Sequence, residues 1–259
     1  MEIIRGTKIQ KTYGKGRIAT TVLKGVDISI HQGEFVAIMG KSGAGKSTLL
    51  YQLSALDRPS GGEIVIDGKN ILELSETELM TFRLYTLGYV FQDYALIPDL
   101  SAGENIALPL LMRGTDWQTA NETADKALAE VGLPDKFDNL PSQLSGGEQQ
   151  RVSIARAIAG KPKIIFADEP TANLDSTSGR AIIDLLANLQ KSGETIVMVT
   201  HEEEYTNHCN RVIYLEDGVI VPEKGMVRTT AAQETPPAHP PRTTFNLPDL
   251  GRYFHFTRD

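Results

Sequence analysis

The run Gly40-Lys-Ser-Gly-Ala-Gly-Lys-Ser-Thr48 constrains the fold more than any other part of this chain. It meets the pattern G-x-x-x-x-G-K-[ST] at every fixed position. Phe35-Val-Ala-Ile-Met39 precedes it, a short apolar run of the kind a buried parallel strand shows, and Leu49, Leu50 and Leu53 follow at helical spacing. The motif therefore sits in a strand, glycine loop, helix context. Glycine takes backbone conformations closed to residues with a Cβ. Gly40, Gly43 and Gly45, with Lys41, Ser42 and Ala44 between them, allow a tight wrap whose N–H groups converge on an anion site at a helix N-terminus. Lys46 is the candidate ammonium for β- and γ-phosphates, Ser47 the candidate hydroxyl for Mg2+, and Thr48 completes the nucleotide-binding run.

Length and charge bound the rest. A chain of 259 residues holds one large domain or two small ones. A net charge of −7 argues against a broad nucleic-acid-binding face, which would be basic. The single cysteine, Cys209, excludes an intrachain disulfide and fits a reducing compartment. The N-terminus lacks the apolar core of a signal peptide. No stretch approaches the roughly 20 apolar residues of a membrane span, so action at a membrane is expected to run through a partner or from the surface.

Taken in order, residues 3–12 and 21–30 read as strands joined by Gly14-Lys-Gly16, with Tyr13 closing the first. Glu63-Ile-Val-Ile66 reads as a strand, 76–83 as a short helix, and Leu87 to Phe91 as a strand ending at Gln92. From about 93 to 144 helical spacing takes over, with Ala124, Ala127, Leu128 and Val131 as one core stripe. Lys163-Ile-Ile-Phe-Ala167 and Thr195-Ile-Val-Met-Val199 are further buried-strand runs, separated by a helix over about 177–190 whose core face is Ile182, Leu185, Leu186 and Leu189. Strands alternating with helices imply a mainly parallel sheet in an α/β fold. The segment 222–259 holds six of the 13 prolines and reads as a tail, extended or disordered over about 222–244, with aromatic residues near its end.

A second constellation follows Ile164-Ile-Phe-Ala167. Asp168 and Glu169 stand at the C-terminal end of that strand, where open α/β sheets bind ligands. Asp168 is the candidate Mg2+ carboxylate and Glu169 the candidate base for an attacking water. Ser145, Gly146 and Gly147 open another helix and offer a second anion site. His201, His208 and Cys209 cluster but lack a fourth ligand for zinc.

Leu144-Ser-Gly-Gly-Glu-Gln-Gln-Arg151 resembles the signature motif of ATP-binding cassette proteins. Gln92 resembles that family's Q-loop glutamine, His201 its switch histidine, Asn173-Leu-Asp175 its D-loop, and Tyr13 its adenine-stacking aromatic. The motifs occur in the family's order over about residues 3–221. Val22-Leu-Lys-Gly-Val26, Tyr89-Val-Phe-Gln-Asp93 and Glu104-Asn105 resemble the group serving lipoprotein-releasing, macrolide-exporting and cell-division complexes. Gly103 departs from it, standing where a larger residue is expected, and the tail after 222 matches nothing in the family core.

The resemblance implies a P-loop NTPase core over 1–221 with a mainly parallel sheet, an antiparallel β subdomain and a helical subdomain at about 93–144. It implies ATP and Mg2+ as ligands, with Ser47, Gln92 and Asp168 around the metal and Glu169, Gln92 and His201 around the reaction. It also implies that Ser145, Gly146, Gly147 and Glu148 close over ATP held by a second copy in a head-to-tail homodimer, with Asp175 coupling the two sites. The expected setting is cytoplasmic, on the inner face of the membrane through an integral permease, with no nucleic acid as partner. Two alternatives keep the ATPase and change its use: a mechanical switch controlling an extracytoplasmic enzyme, and a soluble cassette acting on ribosomes or DNA repair.

Overall fold

The computed structural model describes residues 1–14 and 16–221; the expectations for the tail lie outside the described residues. In chain order the first elements are β1 (Glu2–Tyr13), β2 (Thr20–His31), β3 (Phe35–Met39), α1 (Lys46–Leu53), β4 (Gly61–Ile66), β5 (Lys69–Asn70), α2 (Glu76–Thr86) and β6 (Leu87–Val90). Then come α3 (Ala102–Met112), α4 (Trp117–Glu130), α5 (Gly146–Ala159), β7 (Ile164–Asp168), α6 (Ser176–Lys191), β8 (Thr195–Val199), β9 (Arg211–Glu216) and β10 (Val219–Val221).

Two sheets form. One is antiparallel, four-stranded, in the order β2-β1-β4-β5. The other is six-stranded, in the order β10-β9-β3-β8-β7-β6, parallel except for the β9–β10 hairpin at its edge. Every residue of β3, β7 and β8 is buried, which is why these strands read as unbroken apolar runs. Strand periodicity then divides each run between two cores. Phe35, Ala37, Ile165, Ala167, Ile196 and Met198 face the helices α3 to α6, while Val36, Ile38, Ile164, Phe166, Val197 and Val199 face α1 and the antiparallel sheet. Each large side chain so buried contributes about 1.5–3 kcal/mol.

The helices differ in detail from the spacing-based expectation. The helix expected over 76–83 starts at a capping box of Ser75 and Glu78 and runs on to Thr86, whose carbonyl accepts from Lys163 N–H at 2.8 Å. The following strand stops at Val90. On α6, Ile183 is fully buried and Leu185 only partly so. The stripe of Ala124, Ala127 and Leu128 on α4, with Val131 at its C-cap, is buried throughout, and α4 packs on α3 and α5.

Gly103 has a local reason. It lies in the first turn of α3, its N–H donates to the Phe137 carbonyl at 2.9 Å, and a Cβ there would fall against the Phe137 ring. The missing side chain is the space that ring occupies. Gly103→Leu is expected to lower stability by about 1–3 kcal/mol through overpacking, and Gly103→Leu/Phe137→Ala to recover part of the loss. Urea midpoints of the two variants against the parent check this; an unchanged midpoint for the single variant sinks it.

Candidate active site

The phosphate loop joins β3 to α1, and its glycines are used as the pattern requires. Gly45 is the N-cap of α1 at φ +98°, and Gly43 lies at φ +79°. Gly40, also at positive φ, leaves no room for a Cβ, which would strike the Leu215 carbonyl oxygen of β9. The turn between β9 and β10 grips the loop from the other side. Gly218 N–H donates to the Ala44 carbonyl at 3.1 Å, and Lys24 N–H of β2 donates to the Gly218 carbonyl at 2.9 Å. Lys46 is buried, its ammonium donating to the Lys41 carbonyl at 3.2 Å.

Parallel pairing of β3, β8 and β7 brings the next groups to the same edge. Ile38 is opposite Val199, and Val199 opposite Asp168. Ser47 Oγ donates to Asp168 Oδ1 at 3.0 Å, tying the loop to β7. Asp168 is only 5% exposed, and burial raises its pKa against the opposing hydrogen bond from Ser47. A buried carboxylate beside a serine hydroxyl is an oxygen-only donor pair of the type Mg2+ takes, so the residues present fit that ion.

Glu169 follows in the left-handed region, at φ +43°, with its N–H held by the Val199 carbonyl at 3.0 Å. Such a conformation costs a non-glycine residue about 1–3 kcal/mol and is held by its surroundings. It sets Glu169 Oε2 3.5 Å from His201 Nδ1. Glu169 and His201 line one cleft of about 540 Å³ together with Gly40, Lys41, Ser42 and Lys46. Glu169, His201 and Lys46 thus face one space.

Gln92 is exposed in the turn after β6, its carbonyl accepting from Asn173 Nδ2 at 3.1 Å, and it does not line that cleft. Tyr13, at the end of β1, is 43% exposed, and its hydroxyl donates to Asp57 Oδ2 at 3.0 Å. Asp57 and its partner Lys11 carry no motif, and sequence reasoning passed over both. Asp175 is the N-cap of α6, accepting from the N–H groups of Thr177 at 2.9 Å and Ser178 at 3.0 Å.

Ser145 is the N-cap of α5 and forms a capping box with Glu148. Glu148 Oε2 accepts from Ser145 N–H and Oγ–H, each at 2.8 Å, and Lys136 Nζ lies 3.2 Å from Oε1. Glu148 therefore positions Ser145 within its own chain, and Gly146 and Gly147 follow in the first turn. Gly146 packs beneath the Tyr94 hydroxyl and Gly147 against Ser178. The hydrogen bonds from Ser145 and then Lys136 hold the Glu148 pKa down at about 2. A depressed carboxylate stabilises the fold above its unfolded pKa, and that contribution fades as pH falls from about 4.5 through about 2. Ser145→Ala is expected to cost about 1 kcal/mol and to return Glu148 toward an ordinary glutamate titration. An NMR titration of Glu148 in both chains checks it, and identical curves would refute the reciprocal cap.

The family model described as ABC transporter matches residues 23–172. The lipoprotein-releasing system ATP-binding protein LolD of Aquifex aeolicus is 45% identical over 222 residues, 86% of this chain and 97% of that protein. The macrolide export ATP-binding/permease protein MacB of Aggregatibacter actinomycetemcomitans is 41% identical over 257 residues, 99% of this chain and 40% of that longer protein. That alignment continues past Val221. Among solved structures, the dimeric post-hydrolysis state of an ATP-binding cassette bound to ADP and Pi is 42% identical, with a TM-score of 0.80 over 87% of this chain and 99% of that one. Matched by the family model across its phosphate loop, signature and carboxylate pair, the chain belongs to the ATP-binding subunits of ABC transporters.

Proposed function

We propose that this chain is the ATP-hydrolysing subunit of a membrane complex that exports or extracts its substrate through a separate permease. The observation that carries the reading is the meeting of Lys46, Glu169 and His201 in one cleft, with Ser47 hydrogen-bonded to Asp168 beside it. Lys46 and the loop N–H groups hold the β- and γ-phosphates. Glu169 accepts the proton of the attacking water, and His201, 3.5 Å from it, keeps water and γ-phosphate in line. Ser47 and Asp168, with Gln92 from its turn, would hold Mg2+, which neutralises charge developing between the β- and γ-phosphates. Tyr13 stacks on the adenine ring.

The site is completed by a second copy. In this chain α1 packs on β1, β2, β4, β7 and β8, whereas α5 packs on α3, α4, β6 and α6. The two helix N-termini, one with the phosphate loop and one with Ser145, thus belong to different neighbourhoods. Ser145, Gly146 and Gly147 then meet the γ-phosphate held by the other copy, with Asp175 at the seam between the two sites. The related cassette whose structure holds ADP and Pi is itself dimeric.

The use made of hydrolysis follows the relatives. One is named for lipoprotein release and another for macrolide export, the second as ATP-binding and permease protein in one chain. Among the described residues no helix is long and apolar enough to cross a membrane; the location we propose is cytoplasmic, peripheral to the membrane through the permease. Glu169→Gln is expected to bind ATP, to accumulate as an ATP-bound dimer, and to lose about 10²- to 10⁴-fold in turnover. Steady-state hydrolysis together with size-exclusion chromatography in ATP tests this; parent-like turnover would falsify the base assignment.

A further inference from the structure

Behind the stacking tyrosine lies a charged network that the phosphate chemistry does not use. Asp57 stands past the C-terminal end of α1 and receives hydrogen bonds from three directions. Lys11 Nζ of β1 donates to Oδ1 at 2.6 Å, Tyr13 Oη donates to Oδ2 at 3.0 Å, and Gln52 Nε2 of α1 donates to Oδ2 at 3.1 Å. Lys11 also donates to the Arg58 carbonyl at 2.7 Å, and its ammonium sits 5.0 Å from the centroid of the Tyr13 ring. Lys11 is only 9% exposed and Gln52 fully buried, while Tyr13 is 43% exposed. Charge and donors are thus set inside, and the ring is presented outward. Burial raises the Asp57 pKa, but the bonds from Lys11, Tyr13 and Gln52 outweigh it and the net shift is downward. The acceptor of this network is a carboxylate.

We infer that Lys11 and Asp57 are positioning residues for the base-binding face of Tyr13, locking the ring to the end of the phosphate-loop helix. This rests on the reading of Tyr13 as the adenine-stacking residue. A tyrosine at a strand end next to a glycine turn has freedom about χ1 and χ2. Here its hydroxyl is anchored to Asp57, which Lys11 and Gln52 hold in turn, and a cation lies near its ring. The orientation that receives the base is set before nucleotide arrives, so binding does not have to order the ring. Because Gln52 belongs to α1, the ring and the loop that holds the phosphates are referred to the same helix.

The test separates base from phosphate. ATP and inorganic tripolyphosphate, both in EDTA to prevent turnover, are titrated calorimetrically into the full chain and its variants. Tyr13→Ala is expected to weaken ATP about tenfold, the size of one lost base stack. Asp57→Asn and Lys11→Met are each expected to weaken ATP by about two- to tenfold, the worth of one or two anchoring bonds, while tripolyphosphate binds as in the parent. Lys11→Arg, which still donates to Asp57, restores most of the ATP affinity. Tyr13→Ala/Asp57→Asn binds ATP no more weakly than Tyr13→Ala, because Asp57 acts only through the ring.

Parallel losses for ATP and tripolyphosphate would mean that the network merely supports the fold, and would overturn the proposal. Additive losses in the double variant would overturn it too. If Tyr13→Ala weakens ATP while Asp57→Asn and Lys11→Met bind as the parent does, stacking stands and only the positioning role falls. If Tyr13→Ala itself binds ATP at parental strength, the stacking reading falls and takes the proposal with it.

Discussion

Parallel pairing of β3, β8, β7 and β6 is the constraint on which the site depends. Parallel strands end on one edge, so whatever follows each of them is delivered to the same place. After β3 comes the phosphate loop, at the end of β7 the two carboxylates, and after β8 His201. The register makes this specific, since Ile38, Val199 and Asp168 stand level across the three strands. Residues far apart in the chain are thereby placed within hydrogen-bonding distance, as Ser47 and Asp168 are. The fully apolar interiors of these strands are what hold that register, because a slip of one residue would exchange the two cores.

Several motif residues have a structural use as well as the chemical one their motifs suggest. Ser145 and Asp175 are helix N-caps, and Glu148 reciprocates the first. A cap leaves the first-turn N–H groups ordered and pointing outward, so the stability of α5 and the geometry of its N-terminus come from the same bonds. Glu169 is the contrary case. Its backbone is strained, and what the strain secures is the direction of a carboxylate toward His201. This edge of the sheet is therefore supported by its neighbours rather than by local preference.

The sheet and the motif positions were legible because their signals are local. An unbroken apolar run marks a buried strand, and a glycine pattern marks a phosphate loop, without knowledge of the rest of the chain. Boundaries were less so: α2 runs three residues past the expected span of 76–83, and the carbonyl at its end accepts from Lys163, which is remote in sequence. The Gly103 anomaly needed Phe137 to explain it. Lys11, Gln52 and Asp57 were invisible for the same reason, since a lysine on a strand and an aspartate after a helix are ordinary residues until pairing brings β1 beside the end of α1. Proximity that the tertiary fold creates leaves no periodicity to read.

The hold of β2 and the β9–β10 turn on the phosphate loop has one more consequence. Gly218 bridges Lys24 and Ala44 through its own peptide groups, and Gly40 lies tight against Leu215. A cradle gripped at both ends is stiff before any guest reaches it, so little of the grip on a triphosphate is used up in shaping its own receptacle. The remainder is free to act over distance, and drawing two separate bodies together is work of that kind.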